Sequence, residues 1–340
     1  MSIINLLLFF LIISVVVFVH ELGHFLMAKW NGVTVHEFAI GMGPVLYSRE
    51  KNGTRYSVRA IPIGGFVSME GENEESDEQG SFTQKSPLAR LGILLAGVFN
   101  NFVLGFLLIL LFFSLTGTIT NVVLVAGNDT PAYRAGILDG DRIVEINQEK
   151  IEKWSEVIQQ ISSSEDGALE VSIVRERAGA KENMRIRIQA EREAETGRWL
   201  IGVRPKPVKE FGSVFSQTVT VFLGMFAGIF ELLRNIFKPE VTKDLVGPIG
   251  LYKVVDDVRQ MGLVNLIYLT GFISINIGVI NLLPIPAFDG GRSLMVIAEM
   301  ITGKRLNRKL ENTLVIIGFM FILFLVVLTF YNDITRLFVR

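Results

Sequence analysis

Two histidines and a glutamate stand together near the start of the chain, in the stretch VFVHELGHFL at residues 17–26. His20 and His24 are four positions apart, so on a helix their imidazoles share one face, with Glu21 beside them. This H-E-x-x-H spacing allows both imidazoles to bind one zinc ion while the glutamate takes a proton from a zinc-bound water. The pattern predicts a zinc hydrolase site in which His20 and His24 are ligands and Glu21 is the general base.

A catalytic zinc normally has three protein ligands, so the motif needs one more residue. The soluble extended motif has a histidine six residues after its second histidine, but that position here is Trp30. Asp289 is the best candidate, because two prolines stop the helix before it and two glycines after it allow a tight turn. We expect one Zn²⁺ held by His20, His24 and Asp289. A loop aspartate that only caps the following helix is the alternative.

The motif follows directly on an apolar run, and half of the 340 residues are hydrophobic, which argues against an ordinary soluble enzyme. A membrane crossing by a helix needs about 20 mainly apolar residues. The predicted spans are residues 3–19 extended through the zinc motif, then 91–115, 263–283 and 313–331. The first run lacks a positively charged start and a small-residue cleavage site, so we do not expect a removable signal peptide.

Between the second and third spans the composition changes to that of a folded aqueous domain. Residues 118–205 hold short alternating stretches separated by turn residues, with one helical stretch at 154–161. The segment PAYRAGILDGDRIVEINQEKI (131–151) closely resembles the core of PDZ domains, with Gln148 where glycine is usual. We therefore expect one inserted α+β PDZ domain.

Residues 213–237 are apolar enough to be taken for a fifth span. However, their polar and small residues recur at steps of three and four, which places them on one stripe of a helix. The stripe consists of Ser213, Gln217, Thr220, Gly224, Gly228, Glu231 and Asn235. This pattern is typical of an amphipathic helix that lies in the membrane interface, and we expect one here.

The number of crossings tests this interpretation, because the zinc ligands must lie at one membrane face. If residues 213–237 crossed, the third span would leave Asp289 on the face opposite His20 and His24. If they lie flat, the third span brings Asp289 back to the histidines. Basic residues follow both the first and the third span, namely Lys29, Arg49, Lys51, Arg55 and Arg59, and Lys304, Arg305, Arg308 and Lys309. The positive-inside rule makes their shared side cytoplasmic and puts residues 118–205 outside.

The order of these parts resembles the site-2 protease family of intramembrane zinc metalloproteases, peptidase family M50, and within it the bacterial regulator-of-sigma-E protease type. The resemblance covers essentially the whole chain. HELGH (20–24) matches the zinc motif, and NLLPIPAFDGG (281–291) matches the Asn-x-x-Pro-x-Pro-x-Leu-Asp-Gly motif, with Phe288 in place of leucine. IPIGGFVSMEGE (61–72) is similar to the membrane-associated β-hairpin loop of the family.

The resemblance implies a multi-pass protease of the bacterial inner membrane that cleaves transmembrane segments of single-pass proteins, such as anti-sigma factors and remnant signal peptides. It implies that the loop, with Gly64, Gly65 and Phe66, pairs with unwound substrate as an added strand. It also implies that Asn281 holds the substrate backbone; a helix-end cap is an equally weighted alternative. AGVFNNF (96–102) resembles a family stretch in span two, with Val98 in place of proline. Gly97 and Asn101 share a face of that span, and we expect them to support the site structurally.

The predicted architecture is a polytopic α-helical membrane protein with four transmembrane helices. Its parts are residues 1–117 (spans one and two with the β-loop), 118–205 (PDZ domain), 206–262 (amphipathic helix and connector) and 263–340 (spans three and four). The absence of cysteine excludes disulfides and thiolate ligands, and the net charge of −1 gives no sign of a nucleic-acid partner. The expected partners are the lipid bilayer and membrane-protein substrates, with the site towards the cytoplasm.

Two other functions compete with proteolysis. A catalytically inactive membrane scaffold would bind the C-termini of partners through its PDZ domain, but the intact set of ligands plus Glu21 counts against it. A zinc transporter would need repeated spans, and the sequence shows none.

Overall fold

The computed structural model describes residues 3–72, 76–177, 179–193, 196–235, 247–305 and 307–338. Part of the predicted connector, residues 236–246, lies outside the described residues. The chain forms two compact units, one of Met1–Phe112 with Val219–Arg340 and the other of Phe113–Thr218.

The helices and strands are numbered in chain order. The helices are α1 (Ile3–Trp30), α2 (Pro87–Thr116), α3 (Pro131–Arg134), α4 (Trp154–Ser162), α5 (Phe211–Asn235), α6 (Pro248–Gln260), α7 (Leu263–Leu282), α8 (Asp289–Thr302) and α9 (Arg308–Phe338). The strands are β1 (Val35–Lys51), β2 (Thr54–Met69), β3 (Thr118–Val125), β4 (Arg142–Ile146), β5 (Glu149–Lys150), β6 (Ala168–Arg177), β7 (Ala180–Gln189), β8 (Glu191–Arg192), β9 (Trp199–Leu200) and β10 (Val203–Val208).

Five helices in the described part of the chain are long and apolar enough to cross a membrane. They are Ile3–Trp30, Pro87–Thr116, Phe211–Glu231, Leu263–Leu282 and Lys309–Thr335. Four of them coincide with the predicted spans, and the remaining one, in α5, carries the polar stripe. Helices of this length and composition are typical of membrane spans, so the chain is a membrane protein.

Two parts of α1 lie in different hydrophobic cores. In its middle, Ile12 and Val16 pack with Val255 of α6 and with residues of α7. Near its end, Ala28 packs with the base of the β1–β2 sheet and with Ile93 of α2. The zinc motif at residues 20–24 therefore lies between two packed regions that hold α1 against α2 and α7.

The predicted β-hairpin loop is a small sheet in which each strand is bent into two halves. Ala39 pairs with both Phe66 and Ser57, and Ser57 also pairs with Ser48. The half-strands therefore form an antiparallel sheet in the order 65–69, 35–40, 54–59, 45–51. We call residues 65–69 the site edge, because they lie at the margin of the sheet that faces the zinc motif.

The unit Phe113–Thr218 is a mixed α+β fold. Its main sheet has the strand order β10-β3-β4-β6-β7, with β5 paired to β4, and α3 and α4 complete the unit. Gln148, in the turn between β4 and β5, has a φ of 69°, and its neighbour Asn147 has a φ of 50°. This left-handed backbone favours glycine, yet Gln148 adopts it in this chain.

Candidate metal centre and active site

Three side chains from α1 and α8 converge on one point. His20 Nε2 lies 3.1 Å and His24 Nε2 lies 3.3 Å from Asp289 Oδ2, and the two Nε2 atoms are 3.2 Å apart. Ligands bonded at about 2.0 Å to a tetrahedral zinc stand about 3.3 Å from one another. Asp289 Oδ2 is buried and has no hydrogen-bond partner in the described part of the chain. The donor set and its spacing fit one zinc ion.

The backbone of α2 fixes the ring of His24. His24 Nδ1 lies 2.8 Å from the carbonyl oxygen of Ile93, and both histidines are only 8% exposed. A carbonyl can only accept a hydrogen bond, so Nδ1 carries the proton and Nε2 presents its lone pair to the other ligands. This is the tautomer that a zinc ligand needs.

The Asn101 side chain takes the corresponding place beside His20. Its Nδ2 lies 3.2 Å from His20 Nδ1, it is fully buried, and its Oδ1 has no partner in the described part of the chain. The amide can present either end to the ring, and with its oxygen there it accepts the Nδ1–H of His20. Ser274 of α7 donates a 2.8 Å hydrogen bond to the Asn101 carbonyl oxygen and holds this turn of α2 in place.

Gly97 allows α2 to approach the histidines. A Cβ atom at this position would collide with His24 Nε2 and would lie 2.8 Å from His20 Cε1. Only glycine leaves room for both imidazoles here. Gly97 and Asn101 thus lie against the ligands from one face of α2.

A tight turn positions Asp289 after α7 ends at Leu282. A Cβ on Gly290 would collide with the carbonyl oxygen of Leu282, and one on Gly291 with that of Ile285. Phe288 occupies the N-cap of α8, and Asp289 is the first residue of that helix, with its carboxylate turned to the histidines.

Glu299, the other acid near this end of the span, makes a separate contact. It accepts hydrogen bonds of 2.5 Å from Arg90 and 3.2 Å from Arg305. Burial alone would raise the pKa of Glu299, but these two guanidinium groups hold it below its usual value. Glu299 therefore anchors α8 to the start of α2.

A cavity of about 450 Å³ opens beside the ligands. Glu21, His24 and Asp289 line it together with the site edge from Phe66 to Met69. Gly65 lies close to Glu21, since a Cβ on Gly65 would be 3.5 Å from Glu21 Cγ. Its neighbour Gly64 has a φ of +81°. The general-base candidate and the edge of the sheet thus share one space.

Asn281 lies in the last turn of α7, eight residues before Asp289, and is half-buried. It is not among the residues that line this cavity in the described part of the chain.

The sequence profile of peptidase family M50 matches residues 8–325. The chain belongs to peptidase family M50. Zinc metalloprotease RasP of Shouchella clausii is 30% identical to it, and the alignment covers 98% of this chain and 99% of the relative. Regulator of sigma-W protease RasP of Bacillus subtilis is 28% identical, over 97% of this chain and 98% of its own length. A Fusobacterium nucleatum protein that carries a zinc metalloprotease name is 35% identical, over 96% of this chain and 97% of that protein.

This M50 protein is a zinc metalloprotease of a bacterial membrane. The predictions of family, enzyme class and cofactor are confirmed.

Sequence reasoning missed one ion pair in this M50 site. Arg292, three residues after Asp289, donates to Glu72 Oε1 at 2.7 Å and to the Glu72 carbonyl oxygen at 3.3 Å. Glu72 also lines the cavity. The pair joins the Asp289 turn to the segment that follows the site edge. Its partners are 220 residues apart, and no spacing pattern connects them.

Proposed function

We propose that this chain is an intramembrane metalloprotease that hydrolyses peptide bonds within transmembrane segments of single-pass membrane proteins. The observation that carries the proposal is the place of the ligand cluster. His20 and His24 lie in a helix long and apolar enough to span, and they face Asp289 just beyond the end of a second such helix. A peptide bond that reaches this point belongs to a segment held at the membrane.

His20, His24 and Asp289 hold the zinc ion in this proposal. When bound, zinc lowers the pKa of a water molecule and polarises the scissile carbonyl group. Glu21 takes the proton of the attacking water and gives it to the departing amide nitrogen, acting as base and then as acid. Its position in the same cavity as His24 and Asp289 supports this role. Asn101 and the Ile93 carbonyl orient the two rings, and Gly97 makes room for them.

The site edge is where we propose that the substrate pairs. Residues 65–68 pair with 37–40 on one side and with no second strand in the described part of the chain, and Phe66 to Met69 line the cavity. A substrate helix hides its carbonyl groups in its own hydrogen bonds, so it must unwind before attack. An added strand along Gly65 and Phe66 would satisfy the exposed backbone groups. Gly64 and Asn281 complete the proposed substrate-binding set.

We propose four crossings, with residues 206–262 contributing none on balance. Contacts of α6 support this arrangement, because Asn5 donates to Asp256 at 2.5 Å and Asp333 accepts from the backbone N–H groups of Gly247, Ile249 and Gly250. Thus α6 lies level with the start of α1 and the end of α9, and α7 runs from there to the site.

Contacts of α5 with α2 support a place for α5 that differs from the predicted interfacial one. Phe222 and Phe226 pack edge-to-face on Phe106 and Phe102, with ring centroids 5.5 and 4.9 Å apart. We therefore propose that α5 packs along α2 with its polar stripe exposed, instead of lying flat in the membrane interface as the sequence predicted. The basic residues make the zinc side cytoplasmic. We assign residues 118–205 to a single extracytoplasmic PDZ domain.

The proposed substrates are anti-sigma factors and remnant signal peptides. A relative of this chain is named regulator of sigma-W protease, which supports the first class. Sequence similarity over nearly the whole of both chains makes a shared class of membrane substrate the simplest expectation.

The test is cleavage of a model single-pass protein by the purified full chain in lipid. Replacing the base, Glu21→Gln, is expected to lower the rate by a factor of about 10²–10⁴ with zinc content unchanged. Glu50→Gln changes an exposed glutamate on the outer half-strand and serves as the matched control, with wild-type turnover expected. Equal turnover by wild type and Glu21→Gln, or none by either with zinc bound, would remove the proposal and favour the scaffold.

A further inference from the structure

A second cavity, of about 600 Å³, lies against a different face of α1. On the helix side it is lined by Phe18, Leu22 and Phe25, which recur at steps of four and three and so share a face. Phe18 and Leu22 are each two positions from His20, about 200° around the helix. This cavity is therefore separate from the site that holds the ligands.

The floor of this second cavity is aromatic. Phe38 of the sheet is only 6% exposed and packs on Phe18 and Phe25, with ring centroids 5.7 and 5.1 Å apart. Tyr56, on the neighbouring half-strand, lies 5.9 Å from Phe25. Ile40 and Val58 continue this surface and are partly exposed. The lining runs across three half-strands and is aromatic or aliphatic in this part.

One end of the cavity is basic. Tyr47, Arg49 and Lys51 alternate along the outermost half-strand, so they point to the same face of the sheet and line the cavity in that order. Their register partners are Val58, Tyr56 and Thr54. Arg49 and Lys51 are exposed and make no ion pair in the described part of the chain, whereas Arg59 of the same sheet is paired with Glu37 at 2.7 Å. The lining thus changes from apolar to cationic along its length.

The basic end lies level with the C-terminal end of α1. Thr54, the partner of Lys51, donates a 2.8 Å hydrogen bond to the carbonyl oxygen of Val35. Val33, two residues earlier, donates to the carbonyl oxygen of Ala28 in the last turns of α1. The cations therefore lie where α1 leaves the apolar layer, and the aromatic part lies deeper along the helix.

We propose that this cavity is a binding site for an anionic phospholipid of the surrounding bilayer. The phosphate group contacts Arg49 and Lys51, and one acyl chain lies along Phe18, Phe25 and Phe38. The volume is within the range of about 300–1,000 Å³ that is usual for small-molecule sites. A charged head beside an apolar chain matches this gradient from cationic to apolar, and basic residues at the membrane surface attract anionic headgroups. An apolar segment of another protein would offer no anionic group to Arg49 and Lys51.

Native mass spectrometry of the full chain tests this proposal. The protein is mixed in detergent with equal amounts of phosphatidylglycerol and phosphatidylcholine with identical acyl chains, and the two singly bound species are compared. The wild type is expected to retain phosphatidylglycerol preferentially. Arg49→Gln and Lys51→Gln are each expected to lower that preference about fivefold, the equivalent of ~1 kcal/mol for each basic residue at a membrane surface.

The matched control is Arg55→Gln. Arg55 is exposed on the same sheet, and Glu37 is its register partner on the neighbouring half-strand. Its side chain lies on the opposite face of the sheet from Tyr56, so its loss should leave the lipid preference unchanged. Val58→Trp fills the cavity and should weaken binding of the first lipid molecule to the same extent for both lipids, whereas Val58→Leu should not. Each variant is compared only if its melting temperature matches the wild type. An equal loss in Arg55→Gln, or none in Arg49→Gln, overturns the proposal.

A photoreactive phenylalanine derivative in place of Tyr47 identifies the occupant in reconstituted membranes. An adduct with the mass of a phospholipid supports the proposal. Adducts with a co-reconstituted membrane-protein substrate, or with a second copy of the chain, contradict it.

Discussion

At the scale of single residues, the ring of His20 depends on one amide. Asn101 is the side chain beside His20 Nδ1, whereas His24 is held by a backbone carbonyl that no substitution removes. Asn101→Leu is therefore expected to lower zinc affinity by about 10- to 100-fold, as is usual when the partner of a metal-binding histidine is lost. Competition with a chelator of known affinity measures this directly.

Asn100→Leu is the matched control for that variant. Asn100 is the neighbouring residue and donates at 3.3 Å to the carbonyl oxygen of Val19 instead of to a ligand ring. Zinc affinity close to that of the wild type is expected. A similar loss in both variants would show that α2 is generally disturbed and that the amide has no special role.

Residue spacing predicts the three ligands and, on α2, Gly97 and Asn101 as their supports, but it gives no sign of Ile93 or Ser274. H-E-x-x-H places two imidazoles on one helix face whatever the rest of the fold, and prolines and glycines mark the turn at Asp289. The partners of these residues come from packing. Ile93 acts through its backbone, and Ser274 bonds to a carbonyl group, so neither side-chain type indicates a role.

At the scale of elements, the Glu72–Arg292 pair couples the segment after the site edge to the Asp289 turn. Both side chains are mostly buried, at 14% and 21% exposure. Removing one partner therefore leaves the other charge unpaired and poorly solvated. Glu72→Gln and Arg292→Gln are each expected to lower kcat/KM by about tenfold or more, and the double variant to be no worse than the poorer single one. Cleavage kinetics of all four proteins form the double-mutant cycle.

Arg259→Gln provides a control for that cycle. Arg259 forms an i,i+3 pair with Asp256 in α6, where both side chains are about one-third exposed. Exposed pairs contribute little, so near-wild-type kinetics are expected. Additive losses in the Glu72 and Arg292 variants would show that the two residues act independently.

The small sheet shows why element boundaries were harder to predict than elements. The sequence predicted a hairpin loop, but each strand changes direction and gains a second neighbour. Gly41 and Gly43 both have a φ of +83° at the bend of β1, and Gly64 has a φ of +81° in β2. Glycine permits such bends without requiring them, so the sequence cannot tell which glycines are used.

At the scale of the whole molecule, the two ends of the inserted domain lie side by side, so the domain can be deleted and the ends joined. Thr118 and Val208 are register partners at the ends of β3 and β10, so the chain enters and leaves the sheet side by side. Deletion of residues 120–204 is therefore expected to leave a short closed loop. If the domain is a size filter, the deletion variant will cleave substrates with bulky ectodomains that the wild type rejects.

Substrates with trimmed ectodomains are the control, and both proteins should cleave them equally. Slower cleavage of these trimmed substrates by the deletion variant would instead assign the domain a receptor role. Assays with one transmembrane segment fused to ectodomains of increasing size separate the two outcomes.

Chemical labelling at three positions tests the membrane topology. The chain contains no cysteine, so single cysteines can be introduced without other changes. Gln148→Cys lies in the β4–β5 turn, Met261→Cys lies between α6 and α7 at a residue that is 73% exposed, and Lys304→Cys follows α8. A membrane-impermeant maleimide added to intact cells should label the first two but should label Lys304→Cys only after permeabilisation.

If α5 crossed the membrane on balance, Met261→Cys would be protected while Gln148→Cys was labelled. α6 makes hydrogen bonds to Asn5 near the start of α1, and its N-cap to Asp333 near the end of α9, so Met261 lies level with those two helix ends. Four crossings would put these ends on the same side of the membrane as Gln148. Labelling of Gln148 and Met261 from the same side is therefore the expected result.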